Sequence, residues 1–379
     1  MDSGLDREVE MEATGELLIA EPVMLSLARE YRGMTQTELA DEMSRIDGTK
    51  VSQGYVSRAE AGRLQVKDDR LDLFAKVLGF TAEMLCRTTD IHGVGVGLVH
   101  HRKRASMGAT SLRRVHATLA LTRLQVESLT APLGEGAGHR FRYIEVDDLD
   151  TPEDAATTLR EEWGLEPGPI GDLVGAIEAA GGAVVVRDLD TAELDAVSQW
   201  ADQAPPLFLL NSTAPGDRFR FSLAHELGHV VMHAEPGDGR LQEQQADRFA
   251  AEFLMPYDKI LPELKSGVDL RKLRVLKARW GVSMAALLRR ALSLGVVSEW
   301  QYRNLMIEMS ALGYRTSEPV TVPRETPHHI AQVVTRLGQQ HHLDLTQTAH
   351  LAGLGREEFH EIYLCASSSP GAVATPARL

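Results

Sequence analysis

Residues 220–233 read RFSLAHELGHVVMH and residues 243–256 read EQQADRFAAEFLMP, and these two stretches decide how the rest of the chain is read. The first contains His225-Glu226-Leu227-Gly228-His229. On a helix, positions four apart lie about 40° apart round the axis, so both imidazoles point one way and can share one metal. Glu226 sits one step round, where its carboxylate can reach a water at that metal and act as general base. The apolar flanks of the motif suit a mostly buried helix. A catalytic zinc takes three protein ligands and keeps one position open. His233 is one candidate for the third, but it lies about 80° round from His225 and drifts off the metal face. The metzincin spacing is absent, because Met232 and Glu235 stand where it needs Gly and His. Glu243, on the next helix, is the better third ligand. A lone acid on a charged helix is ordinarily a solvated side chain; the closeness of Glu243 to the first motif and to the apolar run 249–256 argues otherwise. Asp247, one turn on, can accept the other ring N–H of a ligating His. The expected cofactor is one Zn2+ per chain, with Mn2+ tolerated in vitro because a carboxylate accepts it.

Working outward, Thr151-Pro152-Glu153-Asp154 is a helix start, with Thr as N-cap, Pro at the first position and acids in the first turn. A second helix spans about 170–180 and stops at Gly181-Gly182. Residues 183–186 and 207–210 read as strands. Strand 207–210 precedes the motif helix and is expected to be a free edge for an extended substrate. Helical patterns follow at about 217–234, 241–254, 269–279, 283–294 and 298–312, with two weaker ones to about 364.

Towards the N-terminus, Gly33 ends one helix and Thr35 caps the next, with Glu38 at the capping-box position. Ser52 then caps a short helix that exposes Gln53, Ser57 and Arg58. Residues 22–86 resemble the XRE/Cro-type helix-turn-helix. That resemblance implies that Gln36 and the helix carrying Gln53, Tyr55, Ser57 and Arg58 face the major groove of double-stranded operator DNA. There Gln pairs with adenine and Arg with guanine. A homodimer would read half-sites about 10 bp apart. Ile46-Asp47-Gly48-Thr49-Lys50 reads as an insertion that lengthens the turn between the second and third helices.

The two motif stretches, with the lead-in from 142, resemble the ImmA/IrrE family of zinc metallopeptidases, gluzincin-like in ligand set. The resemblance covers about residues 142–262. It implies that His225, His229 and Glu243 hold the metal and that Glu226 is the catalytic base. It also implies site-specific cleavage of a protein, a repressor or antitoxin-like partner, in stress response or mobile-element control. The rival is a transcription regulator or antitoxin whose metallo-domain is a sensor or scaffold. The complete motif set favours the enzyme, since a scaffold has no need of Glu226.

Composition fits a multidomain, mainly α protein: a helix-turn-helix domain, an α+β metallopeptidase domain with a small sheet, and a helical C-terminal region. The expected divisions are an acidic tail at 1–19, the reader at 20–90, a basic linker at 91–141, the peptidase domain at 142–262, helices at 263–365 and a disordered tail at 366–379. The chain has 379 residues and a net charge of −14, which excludes a uniformly basic nucleic-acid binder. Residues 91–126 nonetheless hold six basic residues and no acid, among them Arg102, Lys103, Arg104 and Arg123, and read as a linker or auxiliary phosphate contact. Gly93, Gly95 and Gly97 lack the lysine that a phosphate-binding loop would carry. Two cysteines are too few for a disulfide framework. The acidic N-terminus is no signal peptide, and no apolar run is long enough to span a membrane, so the expected location is cytoplasmic.

Overall fold

Side-chain caps start many of the helices. The computed structural model describes residues 18–88, 107–134, 139–147, 149–200, 204–234 and 239–365. The acidic tail, the basic cluster Arg102-Lys103-Arg104, the Gly93–Gly97 run and the C-terminal tail therefore lie almost wholly outside the described residues. The described chain forms two units, one built on 34–88 with most of the first helix, the other on 30–33 and the residues from 89 onward. No helix among the described residues is long and apolar enough to cross a membrane.

The first unit is all-helical: α1 (Pro22–Tyr31), α2 (Gln36–Asp47), α3 (Gln53–Glu60), α4 (Asp68–Leu78) and α5 (Ala82–Leu85). Thr35 and Glu38 close a reciprocal capping box at the start of α2, with Glu38 N donating to Thr35 Oγ1 at 3.2 Å and Thr35 N to Glu38 at 2.7 Å. Gly48, at φ 72°, ends α2 in the left-handed conformation that favours glycine. The segment 46–50 thus does not simply lengthen the turn. Ile46 and Asp47 extend α2 itself, and the connection to α3 is residues 48–52. Met24, Leu39, Met43, Val56 and Phe74 are buried at its centre. Arg29 forks onto Glu60 at 2.5 and 2.9 Å, which fixes the end of α3 against α1.

The second unit opens with α6 (Ala109–Thr130), followed by α7 (Pro152–Glu162), α8 (Leu173–Ala179), β1 (Ala183–Arg187), β2 (Ala196–Gln199) and β3 (Leu207–Asn211). Next come α9 (Gly216–Met232), α10 (Gly239–Leu254), α11 (Tyr257–Lys265), α12 (Leu270–Trp280), α13 (Met284–Ser293) and α14 (Glu299–Ala311). The chain closes with α15 (His329–His341), α16 (Leu345–Leu351) and α17 (Arg356–Tyr363). The strand order is β1-β3-β2, with β1 parallel and β2 antiparallel to β3. All five residues of β3 are buried, and α9 packs on β2 and β3. A sheet buried on both faces explains why β3 reads as an unbroken apolar run.

Two expectations change here. β3 is central and hydrogen-bonded on both sides, so it offers no free edge. Nor is flanking β2 open: its four residues are buried, and the Gln199 carbonyl accepts from Arg123 at 2.8 Å. The stretch read as a basic linker contains α6, with Val115, Leu121, Leu124 and Leu129 buried. Arg123 is 2 % exposed and also donates to the Pro205 carbonyl at 2.6 Å, so it cannot reach a phosphate. Burial lowers its pKa to about 10, and the two carbonyls take hydrogen bonds from its two terminal nitrogens. Arg114 pairs with Asp190. The lack of acidic residues suggests a linker; the buried apolar positions between the arginines make the segment a packed helix.

One apolar cluster runs from Phe141 to Met309, so the division expected at 262 separates no core. Helices α15 and α16 pack on α6, and α17 on β1, where buried Arg187 donates to Tyr363 Oη at 2.8 Å.

Candidate metal centre

Helices α9 and α10 pack closely along each other, and a glycine permits it. A Cβ added at Gly228 would lie 2.9 Å from Phe249 Cδ1, closer than real side chains tolerate. Gly228 inside the HELGH stretch therefore lets α10 approach until Glu243 meets both histidines. Phe249, Phe253, Leu223 and Leu227 fill the seam and are buried.

His225 Nε2 and His229 Nε2 are 3.1 Å apart. Glu243 carboxylate oxygens lie 3.7 Å from the first and 3.5 Å from the second. One donor atom from each residue falls within 4.8 Å of the others, and all three residues are buried. Tetrahedral coordination at about 2.0–2.2 Å implies donor–donor separations of about 3.3–3.6 Å, so this set has the size of a zinc site. Buried lone pairs and a carboxylate converging this closely repel one another unless a cation or a ring proton lies among them. The donor set thus fits a divalent metal held by two nitrogens and one oxygen.

Each histidine has an outer partner. His225 Nδ1 is 2.9 Å from Asp247 Oδ1, an acceptor-only group that leaves the lone pair of the neutral ring on Nε2. The Asp247 side chain is 52 % exposed, so water weakens this pairing. His229 Nδ1 is 2.9 Å from His233 Nδ1, and His233 Nε2 is 3.0 Å from Gln245 Oε1. His233 stands just past the end of α9 at φ −119° and ψ 88°, which turns its ring onto His229 instead of following the helix round. Burial lowers the His233 pKa below its ordinary value, because desolvation disfavours the charged ring.

Glu226 is buried beside the cluster, and its Oε2 accepts from Ser198 Oγ at 2.7 Å. Ser198 lies on β2, which the sequence reading did not anticipate; its apolar run, Ala196-Val197, is too short to mark a strand. No motif points to Ser198, and Gln245 carries no signal of its own within the stretch 243–256. A small cleft beside His229 is walled by Tyr143, Ser198, Trp200, Val230 and Ala234, with the Tyr143 and Trp200 rings 4.4 Å apart.

In the first unit the residues expected at DNA are brought together differently. Gln53 Nε2 donates to Gln36 Oε1 at 2.7 Å, and Gln36 Nε2 to Glu60 Oε2 at 2.8 Å, so the two glutamines form one chain at the N-termini of α2 and α3. Ser57 is half-buried and Arg58 exposed, its Nε donating to the Gly54 carbonyl at 3.2 Å. Tyr55 is half-buried and stacks on Phe74 at 6.4 Å, with the Arg70 guanidinium over the Tyr55 ring at 5.8 Å from its centroid. Its ring packs against the domain.

A family model described as the IrrE N-terminal-like domain matches residues 177–292, and a helix-turn-helix family model matches residues 25–85. No curated protein matches the chain. The first match contains α9 and α10 with their three converging donors; the second contains α2 and α3. The chain thus combines an N-terminal helix-turn-helix domain of the XRE type with a domain like that of the ImmA/IrrE metallopeptidases.

Proposed function

We propose that the chain is a DNA-binding regulator whose second unit is a zinc-dependent endopeptidase acting on a protein substrate, a repressor or antitoxin-like partner. The observation that carries this reading is the buried convergence of His225, His229 and Glu243, with Glu226 alongside.

His225, His229 and Glu243 would hold the cation, with Asp247 orienting His225. When bound, a divalent cation there supplies Lewis acidity toward a water and toward the scissile carbonyl. Glu226 takes the proton of the attacking water and delivers it to the leaving nitrogen as the C–N bond breaks. Ser198 holds Oε2 of that carboxylate, which fixes its direction. Val230, Tyr143 and Trp200 wall the small cleft beside His229.

In the first unit, Gln36, Gln53, Ser57 and Arg58 contact operator DNA, Gln36 bracing Gln53 for bidentate contact to adenine. Tyr55 supports them by packing. The domain 20–90 carries ten basic and twelve acidic residues, so affinity comes from a few cationic contacts and the helix N-termini, and falls steeply with salt.

The test is a cleavage assay. Purified wild-type and Glu226→Gln proteins are incubated with candidate repressors encoded beside the gene, with zinc, and products are read by mass spectrometry. Cleavage by wild type alone supports the peptidase. Equal products from both, or none with any candidate while metal is bound, favours the scaffold reading.

A further inference from the structure

His225 and His229 play matching parts in the cluster but are oriented by different chemistry. His225 has a carboxylate on its outer nitrogen, which settles its tautomer. His229 has another imidazole, at 2.9 Å, and an imidazole nitrogen can either donate or accept. The state of His229 is therefore undetermined until that of His233 is known.

We infer that His233 and Gln245 are positioning residues that hold His229 in the tautomer a metal ligand requires. This rests on the metal reading of the cluster. The Gln245 amide oxygen, 3.0 Å from His233 Nε2, can only accept, so that nitrogen carries the proton. A neutral His233 then has its lone pair on Nδ1, facing His229. His229 must donate from its own Nδ1, which leaves the Nε2 lone pair directed at His225 Nε2 and Glu243. The opposite orientation of the Gln245 amide would present NH2 to His233, move its proton to Nδ1, and leave the His229 proton on Nε2, where no metal can bind.

Helix α10 supplies Glu243 as donor, Asp247 behind His225, and Gln245 behind His229 by way of His233. Both outer chains thus end on the helix that provides the third donor, and a shift of α10 would disturb all three at once. His233 is only 7 % exposed, which limits the competition of water for its ring nitrogens.

The experiment is a zinc competition titration against a chromophoric chelator, run on the full chain and four variants. His233→Leu removes the acceptor and is expected to weaken zinc binding about 10–100-fold, the usual cost of losing an outer partner. His233→Asn can place an amide oxygen near the lost nitrogen and is expected to restore most of the affinity. Gln245→Leu should weaken binding, and Gln245→Glu, still an acceptor, should not. A merely structural role would not follow this acceptor pattern, since leucine fills an apolar site at least as well as asparagine. Equal affinity for His233→Leu and wild type overturns the inference while the metal reading stands; a wild type that binds no zinc overturns the metal reading. In that case 15N spectra of the metal-free chain decide the inference alone: a proton on His233 Nε2 supports it, and a proton on Nδ1 contradicts it.

Discussion

The two units place their functional side chains in opposite environments. In the second, His225, His229, Glu243 and Glu226 are buried, each bonded to or facing another polar group whose position is set by packed helices. In the first, Gln53 and Arg58 are exposed and satisfied by their own neighbours, a second glutamine and a backbone carbonyl. Groups packed away from water have few alternatives, so losing one is felt in full. Exposed groups exchange partners with water at little cost, and each contributes a modest increment of specificity. The chemistry of the second unit should thus fail sharply under single substitutions, and the recognition by the first should degrade gradually.

The sharpest test of that contrast is Glu226→Gln. The change keeps shape and the Ser198 contact but removes the base, and cleavage should fall about 10²–10⁴-fold with metal content unchanged. Unchanged cleavage of a verified substrate would reject the assigned role. Next is Phe249→Ala in the seam between α9 and α10. A buried Phe→Ala change costs about 3–5 kcal/mol, so the unfolding transition of the second unit should drop by that amount in denaturant. A loss under 1 kcal/mol would mean that the seam does not hold the helices together. In the reader, Arg58→Ala should relax preference at one base pair by about 1–3 kcal/mol, leaving the rest of the operator preference intact. Loss of binding to all sequences equally would make Arg58 a phosphate contact. The smallest expected effect is Thr35→Ala. Removing the N-cap of α2 should cost about 1 kcal/mol of first-unit stability, read as a shifted denaturation midpoint.

The same contrast governs what was legible in the sequence. Metal-type geometry demands fixed residue kinds at fixed spacings, so His225, His229 and Glu243 could be picked out, and the structure brings them together. Capped helices such as α2 and α7 were legible because Thr35 and Thr151 mark their starts. Ser198 was not, because its contact with Glu226 joins residues in different elements through a strand of only four residues. The turn of His233 back onto His229 depends on where α9 ends, and helical periodicity alone continues past that point. Helix α6 is hard to read from sequence because a run of cations masks its apolar positions, and only the fold reveals that Arg123 faces two carbonyls. The central position of β3 follows from a pairing with β2 that local patterning does not encode.

The central claim is that the buried cluster holds a divalent metal beside a general base. Metal content per chain, measured by mass spectrometry on protein purified without chelator, tests it directly in wild type, His229→Ala and Glu226→Gln. The account predicts about one zinc per chain in wild type and Glu226→Gln, and almost none in His229→Ala. Equal, near-zero metal in all three would contradict it, and loss of metal in Glu226→Gln would make that residue a ligand instead of the base.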